Sequence, residues 1–214
     1  MNQKEICRII GMTRAKNPEW REVLKFINRK RGAKYESFTA TDGRCLSRLV
    51  REIPPPEAND ALLYESALLD GRGSLAKRQD LPFPRAEAVF PESGGEETSV
   101  VSVSWLLRRL RNARLLHDVL LLETGGVFYA EAHHEAFLLN PRYVKIMATQ
   151  VQALQRYGFS DKVSISVWKK NEKGYPPVLF SAASEEKKMS YSFLVTPMEY
   201  FKIFGHAGAD VKIN

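Results

Sequence analysis

The sequence predicts an α+β protein built from repeated units of a helix followed by antiparallel strands. Runs with apolar residues at alternate positions, separated by turn residues, recur towards both ends of the chain: KYESFTATDG, CLSRLV, KVSISVWK and YSFLVTP. Among them stand segments whose apolar residues lie three and four apart and are bounded by helix caps. Two proline-rich stretches, IPPPEAND and LPFPRAEAVFPESGGEE, interrupt this pattern. The second predicts a linker near Glu92, dividing the chain into domains 1–92 and 93–214.

The elements follow in order. Ile6, Ile9 and Ile10 share one face of a helix over Asn2 to Ile10, with Gly11 as its stop. VLKFINRK reads as a strand, Arg31-Gly32 as a turn, and KYESFTATDG with CLSRLV as the continuing meander. Ala61 to Leu69 fits a short helix and a strand equally well. Past the linker, VVSVS reads as a strand, and Ser104 caps a helix through WLLRRLRNARLL. Its apolar stripe is Leu106, Leu107, Leu110 and Ala113, and arginines fill the other face. DVLLLE and VFYAEA flank the turn Thr124-Gly125-Gly126, and EAFLL leads to Asn140-Pro141. A cap residue followed by proline opens the strongest helix, with the stripe Tyr143, Ile146, Met147, Gln150, Val151, Leu154 and a stop at Gly158. KVSISVWK, PPVLFSA and YSFLVTP close the chain as three strands. The second half thus repeats an architecture of strand, helix and three strands, and the first half holds one such unit with a shortened second.

With 214 residues and 44% hydrophobic content, the chain can bury one large or two small cores. No apolar run reaches the roughly 18 residues of a membrane helix, and a cytoplasmic setting with no membrane partner is expected. Cys7 and Cys45 have no metal-ligand spacing and are expected to be unlinked structural thiols. Lysine and arginine number 32 against 25 acids, a formal charge of +7 that favours polyanions.

Three separated segments resemble the bacterial sliding clamp family, the β subunit of DNA polymerase III. YESFTATDGRCLSRL resembles that family's ATDG(H/R)RLA segment, and FPRAEAVFP resembles its FPDYxxVxP domain junction. LLNPRYVKIMATQVQAL and YSFLVTPM resemble its final helix and closing strand. The order is that of the family's second and third domains. The resemblance implies a clamp-like fold in two domains, with helices on one face of the sheets, and a non-enzymatic processivity or recruitment factor.

It also implies a pocket for a short peptide from a polymerase or another replication or repair protein. Carried over by position, its lining is Leu24, Thr41, Gly43, Arg44, Cys45, Leu46, Pro84, Val89, Leu194, Val195, Pro197 and Met198. Such a lining is mostly apolar, and Met198 can repack around different anchors. Taken alone, Thr41-Asp42-Gly43 reads as an ordinary turn, and only its coincidence with the other two segments favours the pocket. The sequence departs from the family at Cys45, where arginine is usual, at Thr196, where methionine is usual, and at Glu199, where a basic residue is typical. The tail EYFKIFGHAGADVKIN either returns to the pocket or extends the wall.

In the family, helices line a central hole and hold double-stranded DNA through its phosphates, without reading sequence. The corresponding cations here are Lys4, Arg8, Arg108, Arg109, Arg111, Arg114, Arg142, Lys145 and Arg156. A solvated helix face is the competing reading of the arginine-rich helix. A six-domain ring from two-domain chains requires a homotrimer, and the sequence equally allows a monomer or open dimer. Without a ring the chain is an adaptor that binds clamp-interacting peptides and does not encircle DNA.

No phosphate-binding loop, dinucleotide fingerprint, nucleophile elbow or metal-ligand set occurs, so no cofactor is expected. His133-His134 are adjacent and alternate across a strand, which opposes a shared metal. Glu65, Asp70, Glu131 and Glu135 form no catalytic pair in sequence.

Overall fold

The computed structural model describes residues 1–16, 22–53, 65–85, 96–112, 120–121, 138–167 and 177–196. Helix α1 spans Gln3–Ile10 and opens on a capping box. Asn2 Oδ1 accepts from the Glu5 amide at 3.0 Å, and Glu5 Oε2 accepts from the Asn2 amide at 3.1 Å. The helix buries Ile6, Cys7, Ile9 and Ile10 on its one apolar face. Gly11 does not end the winding: it is right-handed at φ −63°, and Gly11–Thr13 continue as a 3-10 turn.

The strands are β1 (Ile27–Arg31), β2 (Tyr35–Thr41), β3 (Cys45–Glu52), β4 (Glu65–Leu69), β5 (Glu96–Ser102), β6 (Leu120–Leu121), β7 (Leu138–Leu139), β8 (Lys162–Val167), β9 (Val178–Ser184) and β10 (Met189–Val195). Two helices accompany the later ones, α2 (Val103–Asn112) and α3 (Pro141–Leu154). Eight strands form one antiparallel sheet in the order β4-β1-β2-β3-β10-β9-β8-β5, and β6 pairs with β7 separately. The pairing of β3 with β10 fuses the two halves of the chain into one sheet, with Leu46 opposite Leu194 and Cys45 opposite Val195.

Alternation decides which side chains go inward. Phe38, Ala40, Leu49, Ile165, Phe180, Tyr191 and Phe193 meet α1, α2 and α3 in one apolar core that spans both halves. That helix-covered side is the inner face of the sheet. At its centre Gln150 of α3 is fully buried, donating to the α1 carbonyls of Ile9 at 2.8 Å and Ile10 at 3.2 Å and to Thr13 Oγ1 at 3.0 Å. These are carbonyls at a helix end, which need partners when removed from water. Cys7 and Cys45 are buried free thiols.

Two expectations are corrected, one open alternative is decided in part, and one stop is met after a further turn. Residues 22–25 are a 3-10 turn and the strand starts at Ile27, because neighbours Val23 and Leu24 are both buried in one apolar cluster, which alternation in a strand forbids. Ala61 to Leu69 resolves as strand over Glu65–Leu69, with residues 61–64 outside the described residues. Helix α2 begins at Val103, whose side chain is buried, so its cap is Ser102: Ser102 Oγ accepts from the Trp105 amide at 3.2 Å. Ser104 lies inside the helix and donates to Asp161 Oδ2 at 3.0 Å. Gly158 stops the chain after a further 3-10 turn, Gln155–Tyr157, in a left-handed conformation at φ 83°. The linker from 86 to 95 and VFYAEA lie outside the described residues. No helix among the described residues is long and apolar enough to cross a membrane.

Candidate functional site

The turn between β2 and β3 is organised by two short side chains. Asp42 Oδ1 accepts from the amides of Arg44 at 2.9 Å and Cys45 at 3.0 Å, and Thr41 Oγ1 accepts from the Gly43 amide at 3.0 Å and donates to the Cys45 carbonyl at 2.6 Å. Gly43 takes φ 93°, which a side chain would strain. Helix α3 reaches this turn from the inner side. Burial, with the charge and hydrogen bond of Asp42, pushes the Tyr143 hydroxyl up to about 12. Burial and the same carboxylate hold the Cys45 thiol protonated far above the ordinary thiol range. Both groups are thus held in their neutral, protonated forms at neutral pH, beside a turn tied by its own hydrogen bonds.

On the outer face, a transverse row crosses the joint between the halves. Thr41 of β2 pairs with Leu46 of β3, Leu46 with Leu194 of β10, and Leu194 with Leu179 of β9. Leu46 and Leu194 form their own apolar cluster, at 5% and 2% exposure, with Leu179 packed against them. At the Thr41 end, a Cβ placed on Gly43 would lie 3.8 Å from Leu24 Cδ1. Leu24 belongs in turn to a cluster with Val23, Leu68 and Ala76, against which Leu81 and Phe83 pack. Beyond it, Pro84 lines a groove of about 170 Å³ with Asn28, Lys30 and Leu68. At the end of β10 the ladder continues one residue further, the Thr196 amide donating to the Arg44 carbonyl at 3.2 Å.

The structure therefore brings Leu24, Thr41, Gly43, Arg44, Leu46 and Leu194 together, and carries Leu24's cluster on towards the groove at Pro84. Cys45 and Val195 alternate to the inner face and lie in the main core, beneath the row. Val89, Pro197 and Met198 lie outside the described residues. Tyr143 and Asp42 were not singled out from sequence. Tyr143 fits a core stripe and Asp42 an ordinary turn, and only the tertiary approach of α3 joins them.

The cations expected to face DNA fall on the helix layer, opposite the leucine row. Lys4 and Arg8 of α1, Arg108 of α2, Arg142 and Lys145 of α3, and Arg156 after it are exposed. Arg109 and Arg111 are on α2, and Arg114 lies outside the described residues. Arg142 stands close enough to the turn for its charge to favour the Cys45 thiolate. Among the described residues no group of three or more metal-ligating side chains occurs, and His133 and His134 lie outside them.

Solved structures share this architecture. The DNA polymerase III β chain of Streptococcus pneumoniae superposes with a TM-score of 0.62 at 16% identity, over 92% of this chain and 62% of that one. The sliding clamp of Pseudomonas aeruginosa bound to griselimycin gives 0.64 at 14%, over 93% and 64%. The fold is that of the DNA sliding clamp. The β clamp of Helicobacter pylori bound to a DNA ligase peptide agrees, with 0.61 at 14% identity over 91% and 62%. The chain spans less than two thirds of the length of these clamps. No family model and no curated protein matches its sequence. At such low identity the clamp fold is set by topology and core pattern, with little retained at individual positions.

Proposed function

We propose that this chain is a clamp-type docking factor that acts by binding alone: its helix layer faces duplex DNA, and its outer leucine row receives a short peptide from a replication or repair protein. The carrying observation is the register of β3 against β10, which sets Leu46 opposite Leu194 beside the Thr41 turn. Two expected lining segments, distant in sequence, thereby meet on one outer surface, and the cluster of Leu24 leads from the turn towards Pro84, which supports the reading. Leu46 and Leu194 are nearly covered and form the floor, so an incoming aliphatic or aromatic anchor buries its surface mainly against the partly exposed Leu179, while the hydrogen-bonded turn supplies a fixed edge. The clamp of Helicobacter pylori, with the same fold, was solved with a DNA ligase peptide. The exposed lysines and arginines on the opposite side suit phosphate contacts that carry no sequence information. The test is titration of a labelled peptide with leucine and phenylalanine anchors into the full chain. Saturable binding with a micromolar Kd supports the reading, and no binding at several hundred micromolar overturns it.

A second reading is an adaptor that does not encircle DNA. Among the described residues the sheet ends on β4 and β5 without closing on itself, so a ring would need further copies and a lone chain would act as the adaptor. Mass in solution separates the two: a trimer of 24.3 kDa chains supports the ring, and a monomer at working concentration supports the adaptor.

A further inference from the structure

We infer that Gln79 is a positioning residue of the docking site: its side-chain amide pins segment 76–84 to strand β4 and so builds a further anchor position in the groove at Pro84. The inference rests on the docking function proposed above and extends its peptide beyond the leucine row. Strand β4 ends the sheet, so the backbone groups on its outer edge need partners. Leu68 finds them in the segment that follows. Its amide donates to Gln79 Oε1 at 2.8 Å, and its carbonyl accepts from Gln79 Nε2 at 2.9 Å and from the Ala76 amide at 2.8 Å. Nε2 also donates to the Ala76 carbonyl at 2.7 Å. One primary amide thus stands in for a peptide group of a further strand, with both of its protons used.

What this clasp holds is the wall of the groove. From Gln79 the chain runs on to Leu81 and Phe83, which pack against the cluster of Leu24 and Leu68, and to Pro84. Leu81, Phe83 and Pro84 are partly exposed, and the groove they wall has about 170 Å³, room for one apolar side chain. Groove and leucine row share the outer face: Leu68 pairs with Asn28, Asn28 with Thr39, and Thr39 lies two residues from Thr41 on β2. From Leu46 to Leu68 is three strand spacings across and two residues along, roughly 16 Å, which about five extended residues span. A peptide seated on the row therefore carries a further apolar residue into the groove, whose wall stays in place while Gln79 ties it to β4.

The experiment uses the full chain and two pairs of labelled peptides that share the leucine and phenylalanine anchors. Each pair carries either leucine or serine about five positions away, on the amino side in one pair and on the carboxyl side in the other. In one of the pairs the leucine member should bind about fivefold more tightly. Gln79→Ala should erase that margin, as should Gln79→Glu, which turns acceptor oxygens towards the Leu68 and Ala76 carbonyls; the serine member should stay within about twofold of its wild-type affinity. Phe83→Ala, which removes wall directly, should erase the same margin, and adding Gln79→Ala to it should cost nothing further. In Gln79→Ala the Leu68 amide should also exchange its hydrogen faster. Thermal unfolding shows whether the variants are folded, and the wild-type comparison together with Phe83→Ala decides the matter if the Gln79 variants are not. Equal affinities within both wild-type pairs overturn the inference and leave docking intact. A margin kept in the folded Gln79 variants overturns it too, as does an equal loss for both members, which would give Gln79 a general structural role. Absence of binding by every peptide overturns the docking reading itself.

Discussion

The Tyr191 hydroxyl of β10 donates to Gln150 Oε1 of α3 at 2.6 Å, with the two residues 1% and 0% exposed. Through its amide nitrogen the same glutamine satisfies the last carbonyls of α1, so helices from both halves and the strand that carries Leu194 meet at one side chain. A buried network of this kind is costly to break, because each group left unpaired keeps its desolvation penalty. Gln150→Leu should lower unfolding free energy by about 3 kcal/mol, and Tyr191→Phe by about 1 kcal/mol. Urea unfolding monitored by fluorescence measures both. A Gln150→Leu variant as stable as the parent would show that the network contributes little.

Glu36 gives a second stability prediction. It is 4% exposed and pairs with Arg51 at 2.6 Å, while Arg51 Nη1 also donates to the Met1 carbonyl at 2.7 Å. Glu36→Gln strands a part-buried guanidinium and should cost about 3 kcal/mol. Arg29 also stands 3.8 Å from Glu36, so the double change Glu36→Leu, Arg51→Met should recover only part of that loss, which a double-mutant cycle would read.

Alkali should destabilise the fold. Burial pushes the Cys7 thiol from an ordinary value of 9.0 up to about 11, and the Tyr143 hydroxyl is pushed from 10.0 to about 12. Both folded-state values are raised, so the unfolded chain loses these protons first. Their contribution is fully present below pH 9 and is lost as pH rises through about 9 to 12. The urea midpoint should therefore fall between pH 8 and pH 10.5, and Tyr143→Phe should blunt the upper part of that fall. A flat profile would contradict the burial of these groups.

Duplex binding should depend on the helix layer. Changing Lys4, Arg8, Lys145 and Arg156 to alanine should weaken binding to DNA of any sequence. If all four meet phosphates, the slope of log K against log salt should also become shallower by about 3 to 4. An unchanged slope would assign these side chains to a solvated face.

Much of the fold was legible because alternation and helical spacing are local signals. Asn140 and Pro141 announced the start of α3, and the β-rich runs that fall within the described residues became strands. The shift at Val23 and Leu24 was not legible, since their shared burial depends on Leu68, a residue distant in sequence. The same reason hid Tyr143 and the inward turn of Cys45 and Val195: motif likeness gives positions along a chain, whereas the register across the joint decides which side of the sheet each side chain occupies. The groove at Pro84 was legible only as a junction, and its link to the turn runs through Leu24.

The leucine row is best tested by comparing two outer-face positions of β3. Leu46 faces Leu194, whereas Val50 lies four residues away, opposite Ser190. In anisotropy titrations with a labelled leucine–phenylalanine peptide, Leu46→Asp should reduce affinity more than tenfold, since a carboxylate would lose water in an apolar contact. Val50→Asp should leave the affinity within about twofold, a surface change away from the contact. Thermal unfolding confirms that both variants are folded, and Leu46→Ala serves as the milder probe. Unaltered affinity in folded Leu46→Asp and Leu46→Ala would contradict docking on this row.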